Sequence, residues 1–327
     1  MRTITLEEHC ASPASMEGPG SEPGRQGQGF GENLAFTQFA ERLLDIGDRR
    51  IADMDAAGID MQVLSLASPG VEQLDGTGSV ALAREANDHL AEAVRRHPSR
   101  FAAFAALPTP APDAAADELE RTVRDYDFKG AMIKGHSRGR YLDDEFFWPV
   151  LRRAEALQVP LYLHPAPPPQ QVIAASYTGN FAPEVTSVLS TRAWGWHIET
   201  ATHVLRLILS GAFDRYPTLQ MVIGHMGEAL PFMLPRIENS LSMQVTKLER
   251  PIGAYLRENV HYTFSGFNFT ATFLDLFLQV GVDRIMFSAD HPFSSMAQAR
   301  AFLDQLPVST ADKERLAHGN AERLLRL

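Results

Sequence analysis

The chain has 327 residues, 45% of them hydrophobic, and a formal net charge of −10 at pH 7. That length and apolar content can bury one large α/β core, while the acidic balance excludes the basic footprint of a protein that binds nucleic acid or an anionic membrane. Cys10 is the only cysteine, which excludes an intrachain disulfide, and no apolar run reaches the roughly 18 residues of a membrane helix.

The opening MRTITLEEH shows no basic-then-apolar signal pattern, so a cytoplasmic setting is expected. Apolar, partly β-branched runs predict eight strands near 3–7, 61–66, 101–107, 130–134, 160–164, 219–225, 260–265 and 284–290. Amphipathic stretches between them predict helices over 36–57, 80–97, 112–126, 144–157, 199–213, 228–248, 270–280 and 297–306. Strand and helix alternating in this way describe a (β/α)₈ TIM barrel, a single domain over 1–327 with right-handed crossovers. The Gly/Pro/Ser-rich segment 11–33 follows the first strand and is expected at the catalytic mouth, as a lid or as a plain surface loop. A second irregular stretch, 166–191, should overhang the same mouth, and 311–327 reads as a helix packing on the barrel exterior.

Four strand-like runs end in ionisable side chains: Glu7 and His9 in ITLEEH, His164 in PLYLHP, His225 in LQMVIGH, and Asp290 in RIMFSAD. A parallel barrel collects its catalytic groups at these C-terminal ends. Carboxylate and imidazole together describe a site for a divalent metal of borderline hardness. Other histidines have duller placements. His89, His97, His203 and His318 fall on helices or helix ends, and His261 starts a strand, on the stability face. His136 ends a strand without an assigned role, and His291 points away from its neighbour Asp290 on an extended chain.

The motifs LEEH at 6–9, LHP at 163–165, WGWHIETATHVLRLILSG at 194–211, GHMGE at 224–228, SADHPF at 288–293 and GNAERLL at 319–325 form an ordered set. In that order they resemble the metal-dependent amidohydrolase superfamily. The similarity is to the amidohydrolase-2 branch that includes the γ-resorcylate, 2,3-dihydroxybenzoate and 5-carboxyvanillate decarboxylases. The resemblance implies that Glu7, His9, His164 and Asp290 ligate one divalent ion, zinc or manganese. It makes His225 a catalytic residue beside that ion, with Glu228 orienting it; an imidazole in such a role needs a partner on its other nitrogen to fix the tautomer.

Many hydrolases of the superfamily open with H-x-H, whereas this chain has Glu7-x-His9, as the hydroxybenzoate decarboxylases do. A carboxylate in that position hardens the metal and suits chelation by a substrate carboxylate and its ortho phenolate. The implied reaction is non-oxidative decarboxylation of a hydroxylated aromatic acid, with Asp290 delivering a proton and His225 bonding the carboxylate. Phe293 and Trp194 are expected to wall the pocket, and His197 to reach a ring hydroxyl. By the same resemblance Arg236 crosses the subunit interface of a homodimer or homotetramer. Two alternatives stand beside this reading: a hydrolase of the same superfamily acting on a lactone, amide or related carbonyl, with Asp290 as general base, and a non-catalytic metal-binding barrel.

Overall fold

Parallel pairing of each strand with its sequence neighbour is the rule throughout the fold. The computed structural model describes residues 1–17 and 34–327. Its strands are β1 (Ile4–Cys10), β2 (Met61–Leu66), β3 (Phe101–Ala103), β4 (Ala105–Ala106), β5 (Ala131–Lys134), β6 (Leu161–His164), β7 (Met221–Ile223), β8 (Val260–Thr263) and β9 (Ile285–Met286). β3 and β4 are two halves of one stave: between them the Phe104 N–H donates to the Leu64 carbonyl at 2.9 Å, and the Ala105 N–H turns to Gly130. The runs β1-β2-β3 and β4 to β9 follow chain order. The ring closes where Leu6 N–H donates to the Phe287 carbonyl at 3.3 Å and His9 N–H to the His291 carbonyl at 2.7 Å. This is the expected barrel.

Alternation along the staves divides the core into two layers. Ile4, Leu6, Met61, Val63, Ala102, Phe104, Met132, Tyr162, Val222 and Met286 fill the interior. Outward partners such as Leu64, Ala103, Ile133 and Ile223 pack beneath the helices. The helices Pro112–Tyr126 and Thr270–Val280 match their expected bounds. The stretch 36–57 instead divides into Leu34–Leu44 and Asp48–Ala57, with Gly47 heading the second helix. Likewise 228–248 divides into Leu230–Ser240 and Met243–Thr246. The overhanging 166–191 holds two short helices, Gln170–Ser176 entered from Pro169 and Pro183–Ser190 opened by its own proline. Of the expected mouth loop only the first turn, Pro13–Glu17, falls among the described residues; 18–33 lie outside them. No helix among the described residues is long and apolar enough to cross a membrane.

The C-terminal segment does not pack on the barrel exterior as expected. It forms the helices Thr310–Glu314 and Asn320–Leu325 on either side of a wide turn, Arg315–Gly319. Ala321 and Leu325 join the interior layer and close the N-terminal end of the barrel. Asn320 ties the segment down by donating to the carbonyls of Val282 at 2.8 Å and Ile285 at 2.7 Å. The interior layer is thereby closed at this end of the barrel. Leu325→Ala should therefore lower unfolding stability by about 2–4 kcal/mol, the cost of a cavity in a packed core. A solvent-side leucine would cost less than about 0.5 kcal/mol. A denaturant midpoint indistinguishable from the parent chain would place Leu325 outside the core.

Candidate active site

A slip in β1 builds the centre of the site. Ile4 and Leu6 face the interior, but the register against β2 shifts between Thr5 and Glu8, and Glu7 takes a φ of 97°. The bulge turns Glu7 inward directly after Leu6 and restarts the alternation, so Glu7 and His9 share the interior while Glu8 and Cys10 face out. Glu7 is fully buried. Its Oε2 accepts from the hydroxyls of Tyr162 and Ser265, with the Thr263 hydroxyl 3.5 Å away. Gly224 makes room for this carboxylate, since a Cβ there would stand 2.6 Å from Oε2. Burial opposes the charge, but His225 first, with His164 and the Ser265 hydroxyl behind it, outweighs burial and brings the Glu7 pKa down to about 2.

Around Glu7 the ligand-type atoms of Glu7, His9 and His164 lie within 4.8 Å of one another. His164 Nε2 is 3.3 Å from Glu7 Oε1, and His9 Nε2 is 3.3 Å from Asp290 Oδ1. Glu7 Oε1 and His9 Nε2 are buried with no hydrogen-bond partner, an arrangement a cation satisfies and a closed protein core does not. His164 Nδ1 donates to the Pro165 carbonyl at 2.7 Å, which leaves Nε2 with its lone pair toward the centre. Burial, reinforced by the charge of Lys134, holds His9 well below its usual pKa and His164 at about 4. Neutral imidazole is the ligating form. Glu7, His9 and His164 thus fit one divalent ion, and Asp290 stands beside them, 3.3 Å from His9.

His197, His225 and Glu228 cluster as tightly, but that group is satisfied internally. Glu228 binds His225 Nδ1 through Oε1 at 2.7 Å and His197 Nδ1 through Oε2 at 2.6 Å. The Trp196 indole N–H donates to His197 Nε2 at 3.0 Å, so His197 carries its proton on Nδ1, toward Glu228. Burial works against a charged His225, yet Glu228 and then Glu7 outweigh it and raise its pKa to about 10. The imidazolium Nε2 stands 3.8 Å from Glu7 Oε1. Glu228 was expected on the first turn of a helix; it lies before the helix, in a left-handed conformation at φ 55°.

Asp290 combines that same left-handed geometry, φ 64°, with a pKa pushed well above the carboxylate range by burial and by Glu7. A bound cation opposes that rise. His291 turns out of the site as expected, its N–H donating to Glu8 at 3.3 Å. Outside the barrel Arg50 clamps β1, donating to Gln62 at 2.7 Å and to the His9 carbonyl at 2.8 Å.

Phe293 stands with its ring 5.5 Å from His9 and 5.4 Å from Phe39, in the mouth. Trp194 does not form a pocket wall: it is 52% exposed at the head of the helix Gly195–Leu209. His197 does not reach outward for a ring hydroxyl, because both of its nitrogens are engaged inside the protein. Phe267, unnoticed in the sequence, is the aromatic ring that stands there, 5.2 Å from both His197 and His225. Arg236 is exposed on the helix Leu230–Ser240, beside exposed Phe232 and Met233. His136 and His203 have structural roles, accepting from the N–H groups of Gly139 and Leu142.

Sequence reading also passed over Tyr162, Thr263, Ser265 and Lys134. Tyr162 precedes His164 by two residues and shares its face. Lys134 ends its strand in an ionisable group, as Glu7, His9, His164, His225 and Asp290 were read to do. It is buried, and burial draws its ammonium down to about 8, against the pull of Glu7 and Glu72.

Comparison with known proteins places this geometry. The amidohydrolase family pattern matches residues 38–327. The γ-resorcylate decarboxylase of Polaromonas sp. JS666 is 39% identical over 99% of this chain and 98% of its own. A dihydroxybenzoic acid decarboxylase structure from the same organism, with bound manganese and 2-nitroresorcinol, superposes with a TM-score of 0.88 at 38% identity, covering 100% of this chain and 97% of that one. The 5-carboxyvanillate decarboxylase of Sphingomonas paucimobilis gives 0.92 at 33% identity, with 100% and 99% covered. By family pattern, near-complete coverage and the site itself, this chain belongs to the amidohydrolase family, in the company of metal-dependent aromatic acid decarboxylases.

Proposed function

We propose the following reading of the site. The protein is a metal-dependent, non-oxidative decarboxylase of hydroxylated aromatic carboxylic acids of the ortho-hydroxybenzoate type. The observation that carries it is a caged carboxylate, Glu7, with an unpaired oxygen among His9 and His164, faced by a His225 that Glu228 holds cationic. Hydrolysis needs a base to take a proton from water, whereas decarboxylation needs an acid to give one to carbon. The site supplies the acid.

Glu7, His9, His164 and Asp290 would hold the divalent ion. When bound, that ion polarises and orients the substrate carboxylate and its ortho oxygen; the relative that holds manganese and the carboxylate-rich donor set favour manganese over zinc. His225 Nε2–H bonds the carboxylate that will leave. Asp290 transfers its proton to the ring carbon that bears this carboxylate, and the ring briefly loses aromaticity. The C–C bond to the carboxylate then breaks, its electron pair returns to the ring, and CO₂ departs. Phe267 and Phe293 flank the ring. Glu228 and His197 fix the tautomer and angle of His225.

Assembly belongs to the same proposal. Phe232 and Leu278 are 76% and 81% exposed on the helices Leu230–Ser240 and Thr270–Val280, which pack together, and Phe269 is 60% exposed beside the second. Apolar exposure of this kind suits a covered surface between subunits. Arg236 in that surface reaches the neighbouring active site of a homo-oligomer built from dimers, where its fork binds a substrate oxygen. We place the enzyme in the cytoplasm, where its single buried Cys10 stays reduced.

Purified enzyme loaded with manganese should release CO₂ from 2,6-dihydroxybenzoate or another ortho-hydroxybenzoate, and a chelator should abolish this until manganese is restored. Hydrolysis of lactones or amides without CO₂ release from any hydroxybenzoate would overturn the reading. Substitution separates the two kinds of histidine: His164→Asn should lose the metal, while His225→Asn should keep about one ion per chain and lose about 10²–10⁴-fold in turnover. The reverse pattern in metal analysis would exchange their roles. Mixing inactive Arg236→Ala chains with inactive Asp290→Asn chains should restore part of the activity, because some hybrid dimers contain one complete site. No recovery after demonstrated subunit exchange would remove the shared arginine.

A further inference from the structure

Lys134 is a charged group in the mouth to which the reaction above assigns no work. β5 alternates like its neighbours: Met132 lies in the interior layer and Ile133 in the outer one, so Lys134 faces inward. Its register partner on β6 is His164, as Met132 is the partner of Tyr162. The lysine side chain therefore occupies the same layer as the metal-ligand set, one stave away, and it is 3% exposed.

No carboxylate among the described residues forms an ion pair with this ammonium. Glu72 comes nearest to the role, but its oxygens are taken by backbone donors, Oε1 by the N–H of Lys134 at 2.7 Å and Oε2 by that of Val71 at 2.8 Å. The one hydrogen bond that Nζ makes goes to the Met132 sulfur, a weak acceptor, at 2.9 Å. Burying an ammonium is costly unless an anion and further acceptors meet it. Its charge reaches the ligand set, lowering the pKa of His9 and His164 and itself being favoured by Glu7 and Asp290. Glu7 Oε2 is committed to its hydroxyl neighbours, Glu7 Oε1 stands 3.3 Å from His164 Nε2, and Asp290 faces His9. A buried cation with a thioether for a partner, beside a pocket for an aromatic acid, is complementary to an anion the substrate brings.

We propose that Lys134 binds a second anionic oxygen on the substrate ring, an ionised hydroxyl or a second carboxylate, and so selects diacidic aromatic acids over simple ortho-hydroxybenzoates. The inference rests on the decarboxylase reading for its substrate class. Lys134 is a specificity-determining residue: the proton transfer and the bond cleavage do not pass through it.

The test compares Lys134→Met and Lys134→Gln with the parent enzyme, all loaded with manganese, on 2-hydroxybenzoate, 2,6-dihydroxybenzoate and 2-hydroxybenzene-1,3-dicarboxylate. Removing the charge should raise KM about 10–100-fold for the substrates with a second anionic oxygen, the range of one charged hydrogen bond, and change it less than about 3-fold for 2-hydroxybenzoate. Loss confined to the dihydroxy acid identifies a phenolate as the partner; loss confined to the diacid identifies a carboxylate. Lys134→Arg, which keeps the charge, should retain part of the preference.

A second readout needs no turnover. Calorimetry should show that 2-nitroresorcinol loses its advantage over 2-nitrophenol when Lys134 becomes Met or Gln, if the partner is a phenolate; 2-nitrobenzene-1,3-dicarboxylate against 2-nitrobenzoate tests the carboxylate in the same way. A purely structural lysine would instead lower the melting temperature and weaken all ligands equally, and that result, or variants indistinguishable from the parent in both assays, overturns the proposal. Failure of the parent enzyme to decarboxylate any of the three acids would count against the decarboxylase reading, while the binding comparison would still decide the role of Lys134.

Discussion

A fully buried carboxylate on the axis of the barrel is the constraint from which the rest of the site follows. Bringing Glu7 inward next to Leu6 breaks the two-residue period of β1, and the chain accepts a bulge and a left-handed residue to do it. Once inside, the anion must be met by donors. Tyr162, Thr263 and Ser265 come from the facing staves to meet one oxygen, and Gly224 gives up a side chain to make space. The other oxygen is left unpaired toward His9 and His164. Burial of a charged group with half of its capacity unused makes sense where a cation completes the set.

The same anion divides the histidines into two chemical states. His9 and His164 lie where burial and the Lys134 charge both oppose protonation, so they stay neutral and keep lone pairs for a metal. His225 has a second carboxylate, Glu228, on its far nitrogen, and the two anions together overcome its burial. Environments thus push like side chains into different protonation states without any difference in residue type. The backbone pays for this arrangement locally: Glu7, His225, Glu228, Ser265 and Asp290 all stand at positive φ, each in or just beyond the C-terminal end of a stave. Strain concentrated at the mouth is tolerable because the floor of the barrel is closed by Ala321 and Leu325 and the staves are pinned below.

Much of this was legible before the structure. Apolar strand runs ending in Glu, His or Asp gave the staves and brought Glu7, His9 and His164 together, because those ends converge at the mouth of a parallel barrel. Less visible were features that depend on departures from a period. Nothing in ITLEEH announces a bulge, and without it Glu7 would share a face with Thr5 rather than follow Leu6 inward. The helix stops at Leu44 and Gly47 begins another in a stretch whose apolar pattern runs on. The aromatic wall was sought in WGW, yet the local turn exposes Trp194 and spends Trp196 on His197, leaving Phe267 in the pocket. Side-chain direction within an irregular segment has no sequence period from which to read it.

The charges of the site also bear on what it accepts. Glu7 and Glu228 are held ionised and His225 cationic, while burial works against the Lys134 ammonium and raises Asp290. A divalent ion added to that set brings positive charge into a site of low dielectric, and its field favours a ligand of opposite charge. A benzoate alone offers one negative charge; a benzoate with an ionised ortho oxygen offers two. On this balance the chelating phenolate is recognised as an anion as well as a ligand. With Glu228 removed, His225 would lose its main counter-charge. The carboxylate behind the histidine therefore sets the charge of that ring in addition to its angle.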